Sequence, residues 1–297
     1  MPTFSKISKT TDDLLSDEFK RFPAGNKASP TDPESWIYFF KNHSKIRIAN
    51  QLELRRKGYE LLHKLYSKTG IAPDNPDGMW LSIHDALPET TMFLAENGQR
   101  DIDGALTVVF DSSIGLPADA LYKEEIDRLR SAGRKISEII SLGIRDTAKG
   151  SVKSMAGLFY CAYLLSWRSK KFTDFVITVH ERYENFYCRF LLFKKIGEVR
   201  NYAKVNGAPT VLLHLPLMLP DTLTPEEKQR VFPLSLIEQS EKKKREVIQK
   251  IEAMSIPMSE EEFRYFFIEK TDLWEKATPQ EKDFIGKIFP SPLSDPY

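Results

Sequence analysis

The sequence predicts an α/β protein with a mixed β-sheet, and three observations carry that prediction. Apolar residues recur at strand spacing in some segments and at helix spacing in others, in the order β-α-β-β-(αα)-β-α-β-α-β-β. Asn97-Gly98 between two such segments is a hairpin signal, so part of the sheet is antiparallel. Helices between other strands act as crossovers, which makes the sheet mixed. The order is not the strict alternation of a dinucleotide-binding fold, and neither G-x-G-x-x-G nor a P-loop occurs.

Taken in order, residues 1–30 are polar and rich in Ser, Thr, Lys and Pro, and read as a loosely held arm. Asp32-Pro33-Glu34 reads as a helix start with an Asp cap and Pro at the first position, docked by the aromatic run Trp36–Phe40. Ser44–Ala49 alternates and reads as a strand. Gln51–Lys68 reads as an amphipathic helix with the stripe Leu52, Tyr59, Leu62 and Tyr66, stopped by Gly70. A Pro-, Asp- and Gly-rich loop fills Ala72–Gly78. Strands are expected at Thr90–Ala95 and Asp103–Asp111, on either side of Asn97-Gly98.

Gly115–Gly133 should hold two short helices, one starting at Pro117-Ala118-Asp119 and one over Lys123–Ser131. Arg134–Ile144 is an Ile-rich strand and Val152–Arg168 a strongly apolar helix. Asp174–Val179 reads as a buried strand, and Glu181–Leu192 as a helix dense in aromatics. Strands at Phe193–Tyr202 and Pro209–Leu215 turn near Asn206-Gly207. Beyond these, Thr224–Glu227, Ser259–Glu262 and Thr278–Glu281 are capping boxes that announce helices. The charge run Glu241–Arg245 reads as a solvated helix face.

The 297 residues include 43 basic and 42 acidic side chains, a net charge of +1, which does not suit a nucleic-acid binder. Cys161 and Cys188 form no disulfide framework and fit a reducing compartment. No apolar run reaches the ~20 residues of a membrane span, and no signal-peptide pattern is seen, so a cytoplasmic protein is expected. The five histidines show no ligand spacing, and no metal site is expected.

No G-x-S-x-G elbow, H-E-x-x-H or C-x-x-C is present. Two places have chemical interest. Glu138 lies in the middle of the apolar strand RKISEIISLGI, where a carboxylate is costly to bury without a partner or a task. The alternative is a solvent-facing position on a half-exposed strand, and alternation leaves both open. In VHERYENFYCRFLLF a strand ends at His180 and a helix begins at once, with Tyr187 about two turns in; the text alone favours core packing for Tyr187.

These two places, in this order, resemble the N-acyl amino acid synthases, relatives of the acyl-homoserine-lactone autoinducer synthases. The resemblance rests on Gly115–Asp119, Leu129-Arg130, Gly133-Arg134 and Glu138. It continues through Val179-His180, Phe186-Tyr187, Phe193, Ile196-Gly197, Arg200, Tyr202 and Asn206–Pro209. It implies a GNAT-like N-acyltransferase fold over 44–219, with splayed central strands flanked by helices. An N-terminal arm with a short helix (1–43) and a C-terminal helical extension (220–297) lie outside it. Two departures matter. Ser141 stands where an Arg is usual, which ranks an autoinducer synthase as the second reading. Arg145–Lys153 lacks an intact pyrophosphate loop, which fits an acyl carrier protein donor. A third reading is a non-catalytic module that binds acyl chains or partners.

The resemblance implies that no cofactor is tightly bound. The donor would be an acyl-phosphopantetheine thioester, on an acyl carrier protein partner or on CoA, and the acceptor an amino acid. Glu138 would be the general base and Tyr187 the acid that protonates the leaving thiolate. Leu142, Gly143, Ile144 and His180 would hold the pantetheine arm, with a backbone N–H near Leu142 or Gly143 as oxyanion donor. Lys149 and Lys153 would meet the acidic carrier protein. Met155, Leu158 and Phe159 would line the acyl cleft. Arg47, Arg55, Arg182 or Arg189 would take the acceptor carboxylate. Phe263, Phe266, Phe267 and Trp274 form an apolar stripe suited to core packing or to covering the cleft.

Overall fold

In the computed structural model, residues 37–38, 45–72, 76–96, 101–145, 151–224, 226–227 and 241–290 are described. A nine-stranded mixed sheet runs in the order β1-β2-β3-β4-β5-β6-β9-β7, with β8 also paired to β9. The strands are β1 (Ile37–Tyr38), β2 (Lys45–Ile48), β3 (Thr91–Glu96), β4 (Ile102–Phe110), β5 (Ile136–Ile144), β6 (Asp174–His180), β7 (Lys194–Lys195), β8 (Arg200–Tyr202) and β9 (Ala208–Pro216). Every pairing is antiparallel except β5 with β6.

Strict alternation along the central strands makes the two faces. Leu106 and Val108 of β4, Phe175 and Ile177 of β6, and Val211 and Leu213 of β9 point to one core. Ala105, Val109, Val176 and Leu212, their sequence neighbours, point to the other. The first face is covered by α3 (Ser151–Tyr163), α4 (Glu184–Leu191) and α5 (Glu241–Met254). The second is covered by α1 (Leu52–Lys68), α2 (Asp119–Ser131), α6 (Glu260–Phe263) and α7 (Pro279–Ile288). Helix α3, apolar on all sides in sequence, is buried from Ala156 onward and widens into a π turn over Leu164–Ser169.

Several expectations change. Ile37 and Tyr38 are not helical; they pair with Ile46 and Lys45 at the sheet edge, and Ile37 is buried in the core. The Asp32-Pro33-Glu34 start and the Asn97-Gly98 tip lie outside the described residues. The two short helices after Gly115 are present as expected, joined end to end across a kink at Tyr122, where φ is −128° and ψ is 34°. The Tyr122 hydroxyl donates toward Thr210 O (2.7 Å) and Glu198 O (3.0 Å), and the Arg200 guanidinium lies 4.7 Å from its ring. Phe193–Tyr202 is not one strand. Lys195 pairs with Leu213 and Arg200 with Thr210, so Ile196–Val199 bulges opposite Val211 and Leu212. Gly197 sits in that bulge because a Cβ there would lie 2.7 Å from the Tyr122 ring.

The C-terminal helices complete the second core. Phe263, Phe266 and Phe267 are fully buried, and Phe266 meets Tyr59 of α1 edge-on at 5.2 Å. Each such burial contributes roughly 1.5–3 kcal/mol. Arg55 donates to Glu262 at 3.2 Å and to Ile256 O at 2.9 Å, both within that packing. The boxes at Ser259 and Thr278 cap α6 and α7, and Thr224 and Glu227 exchange the same reciprocal bonds. The charge run Glu241–Arg245 is mostly exposed while Val247, Ile251 and Met254 face the first core. Among the described residues, no helix is long and apolar enough to cross a membrane.

Candidate functional site

The central feature is a wedge between β5 and β6. The two strands pair at Ile136–Asp174, Ser137–Phe175 and Glu138–Val176, and no further. The cause is visible on the other edge of β5. Ser141 pairs with Thr107 and Ile139 with Val108, so Ile140 is an extra residue against β4. Such a bulge bends its strand and increases the local twist, here next to the point where β5 leaves β6. The gap opens into a cleft enclosing about 870 Å3, part of it open to solvent.

Glu138 sits at the apex. It is 3% exposed and shares its face of β5 with Ile136 and Ile140, so the solvent-facing alternative does not hold. Its Oε2 accepts from the Ala118 N–H at 2.9 Å, just before α2. Burial pushes its carboxyl up to about 8, against the opposing pull of that N–H and of the Lys204 charge. The bond to Ala118 uses one oxygen, leaving Oε1 for the cleft that Glu138 lines.

Leu142 lies on the open half of β5. Its N–H donates to the Tyr66 hydroxyl at 2.9 Å, and that hydroxyl donates to Leu142 O at 3.0 Å. The backbone groups expected to await a ligand are therefore held by a side chain of α1. Gly143 faces α1 as well; a Cβ there would lie 2.9 Å from Leu65 and 3.0 Å from Leu62. Ile144 packs into the first core.

Tyr187, on α4, is 5% exposed and faces the cleft with Phe159, Phe186 and Phe193 rings around it at 5.4–6.3 Å. Burial, with the neighbouring Tyr66 and Tyr183 phenols, holds its hydroxyl well above the ordinary range. His180 ends β6 on the cleft wall, its Nδ1 accepting from Arg182 N at 3.3 Å. Burial and the Arg182 charge lower its imidazole.

The fold thus brings Glu138, Leu142, His180 and Tyr187 to one cleft. Other candidates lie elsewhere. Met155, Leu158 and Phe159 are buried in the core behind the wall, with Phe159 reaching the site only through the Tyr187 ring. The cleft's apolar lining is instead Ile139, Ile177 and Val179. Arg47 is on β2 opposite Leu94, within the field of Glu96. Lys153 is on α3 away from the cleft lining, and Lys149 lies outside the described residues. Arg55 is committed to Glu262, Arg182 stacks on Tyr183 at 4.7 Å and Arg189 on Phe190 at 5.4 Å.

Four lining residues went unread in the sequence: Tyr66, Trp80, Tyr202 and Lys204. Tyr66 stood in a helical stripe indistinguishable from core. Lys204 stood near the Asn206-Gly207 turn, where a lysine carries no signal. Lys204 is exposed as a residue, with its ammonium 6.0 Å from the centroid of the Trp80 ring. Burial holds that ammonium below its ordinary value, against the pull of Asp85, Glu138 and Glu281. The Tyr202 hydroxyl donates to Pro117 O at 3.4 Å; burial and the Glu138 charge push it up to about 12.

The sequence profile described as "N-acyl amino acid synthase FeeM" matches residues 57–216. The solved structure of FeeM, an N-acyl amino acid synthase from uncultured soil microbes, superposes with a TM-score of 0.53 at 22% identity, covering 65% of this chain and 97% of that one. The acyl-homoserine-lactone synthase LasI gives 0.44 at 14% identity over 59% of this chain and 91% of its own. The ribosomal-protein-S5-alanine acetyltransferase from Vibrio fischeri gives 0.43 at 11% identity, covering 64% and 99%. Among curated proteins nothing matches. The fold is GNAT-like, as the resemblance implied.

Proposed function

We propose, from the premise that this chain belongs to the N-acyl amino acid synthase family and is an acyltransferase, that it moves a fatty acyl group from a phosphopantetheine thioester to the amino group of an amino acid. The observation that carries this reading is a buried carboxylate, Glu138, at the apex of a wedge between two parted strands.

In this reaction the amine nitrogen attacks the thioester carbonyl carbon, and the carbon–sulfur bond breaks. The acceptor enters as an ammonium and must shed a proton to attack; the Glu138 carboxylate takes it, directly or through a water, and returns it to solvent. The leaving thiolate gains a proton from Tyr187, and the second proton that the amine loses as the amide forms restores the phenol. The place of Tyr187 on the cleft wall supports this role; burial keeps its phenol protonated and makes it a weaker acid than a free phenol. The apolar walls Ile139, Ile177 and Val179 suit a fatty chain.

Lys204 takes the acceptor carboxylate. Of the cations weighed, it alone lines the cleft, and it lies within the field of Glu138. Arg145–Lys153 lacks the pyrophosphate loop of acetyl-CoA enzymes, which favours an acyl carrier protein as donor.

The test is mass spectrometry of products after incubation with a dodecanoyl thioester, on a carrier protein or on CoA, and each common amino acid. N-dodecanoyl amino acids are expected. An acyl lactone formed from S-adenosylmethionine, or thioester hydrolysis with no amide product, overturns the reading.

A further inference from the structure

Past Glu138 and Val176, β5 has no strand paired on its β6 side, yet that edge is not bare. The N–H and C=O of Leu142 are both satisfied by one atom, the Tyr66 hydroxyl, at 2.9 and 3.0 Å. Leaving these buried groups without partners costs stability. A hydroxyl is the smallest group that both donates and accepts, so it can do the work of a strand's amide at a single point. Tyr66 is held there by the end of α1 and by the Trp80 ring, 5.0 Å away and nearly perpendicular. Both residues line the cleft.

We propose that Tyr66 is a positioning residue that occupies the donor's amide place on β5. Its hydroxyl completes the backbone of Leu142 in the free protein, and the two pantetheine amides take over the same two bonds when the thioester arm enters. This rests on the reading of the wedge as the thioester site. The C=O of one amide accepts from Leu142 N–H, the N–H of the other donates to Leu142 O, and the phenol moves aside. The exchange swaps two hydrogen bonds for two, so the arm binds without stranding a buried polar group. It also lowers donor affinity, because the arm must displace bonds already made. With no thioester present, the Leu142 point of the wedge is therefore already bonded.

The decisive variant is Tyr66→Phe, which keeps the ring against Trp80 and removes only the hydroxyl. The probe is the S-dodecyl thioether of pantetheine, which cannot be turned over, measured by calorimetry with no acceptor present. The variant should bind about tenfold more tightly, a shift of about 1.4 kcal/mol. S-dodecyl-mercaptoethanol, which lacks the amides, should bind both proteins alike. Hydrogen exchange gives a second readout: the Leu142 amide should be protected in the free parent, exposed in the free variant, and protected in both with the thioether.

Equal or weaker thioether binding by Tyr66→Phe overturns the proposal, because a purely structural tyrosine would lower stability without sharpening affinity. A fall in kcat of roughly a hundredfold at unchanged affinity also overturns it, since positioned proton transfer loses that much and Tyr66 would then act on the reacting atoms. If the parent itself fails to bind the thioether, the thioester reading of the wedge has failed, and this inference falls with it.

Discussion

The two halves of β5 face the same neighbour and are held in opposite ways. In the closed half, Ile136–Glu138 pairs with Asp174–Val176, and the base is anchored by charge. Asp174, fully buried, accepts from Arg134 at 2.6 and 3.0 Å and lies 2.7 Å from His214 Nε2. In the open half β6 no longer pairs, and a single phenol from α1 meets Leu142 on that edge. The difference teaches how a sheet builds a cleft without losing its edge. The closed half carries the stability, and the open half carries replaceable bonds. Glu138 sits on the border, where the sheet is rigid enough to aim a carboxylate and open enough for a substrate to reach it.

Four changes break or sharpen that comparison, taken from the largest expected effect to the smallest. Glu138→Gln removes the base at the border and should cut kcat/KM by roughly 10²–10⁴-fold. In the parent, kcat/KM should rise as pH climbs through about 8, where the Glu138 carboxylate forms. A steady-state pH profile checks both, and the variant should lose that lower inflection while keeping the titration of the amine itself.

Asp174→Asn strikes the closed half. Truncating a buried, paired charge of this kind costs about 3–5 kcal/mol, read as a drop in the urea midpoint. Burial pushes the Asp174 carboxyl up, but His214, Arg134 and Thr173 together outweigh it and hold it below its ordinary value of 3.8. A carboxyl whose pKa is depressed by folding stabilises the protein above its unfolded value and loses that contribution as pH falls through the folded one. The variant should therefore show a shallower acid unfolding transition than the parent.

Lys204→Met tests the open side. The KM for the amino-acid acceptor should rise about tenfold or more, equivalent to the loss of one charge-assisted hydrogen bond. Binding of a non-reacting donor thioether should not change. An acceptor esterified at its carboxylate should lose the distinction between parent and variant. An unchanged acceptor KM would move the carboxylate site elsewhere.

The smallest effect is on stability and has the opposite sign from the first. Folding raises the Glu138 carboxyl from 4.5 to about 8, so the folded chain holds a proton that the unfolded chain releases. The contribution of this site is fully present below 4.5 and is lost as pH rises to about 8. Glu138→Gln should therefore raise Tm at about pH 9 by a few degrees and hardly alter it at about pH 4. A gain that is the same at both values would mean that the carboxylate is not desolvated in the folded protein.

Much of this arrangement was legible. Periodicity located seven strand segments and the main helices, because each element has one face in a core and the pattern records it; these cover the described strands except Ile37–Tyr38, with β7 and β8 read as one. The exception, Ile37–Tyr38, is too short for periodicity to exceed noise, and its strand character comes from Ile46 across the edge. The break in Phe193–Tyr202 was likewise invisible, since it depends on the Tyr122 ring reaching Gly197 from a distant helix. Glu138 was conspicuous because an acidic residue stood alone in apolar text. Lys204 and Trp80 were not, because nothing in their own neighbourhoods is out of place.

What the sequence determined by itself is the set of elements, their buried faces and the carboxylate that violates one of them. These are local properties, written in the spacing of side chains along the chain. Only the tertiary structure decided that β5 parts from β6 after Glu138, that Tyr66 closes the exposed edge and that Lys204 reaches over the cleft. Each of those is a meeting of residues far apart in the chain, made by a bulge and by helices packing on opposite sides, and no local pattern encodes where two such surfaces will touch.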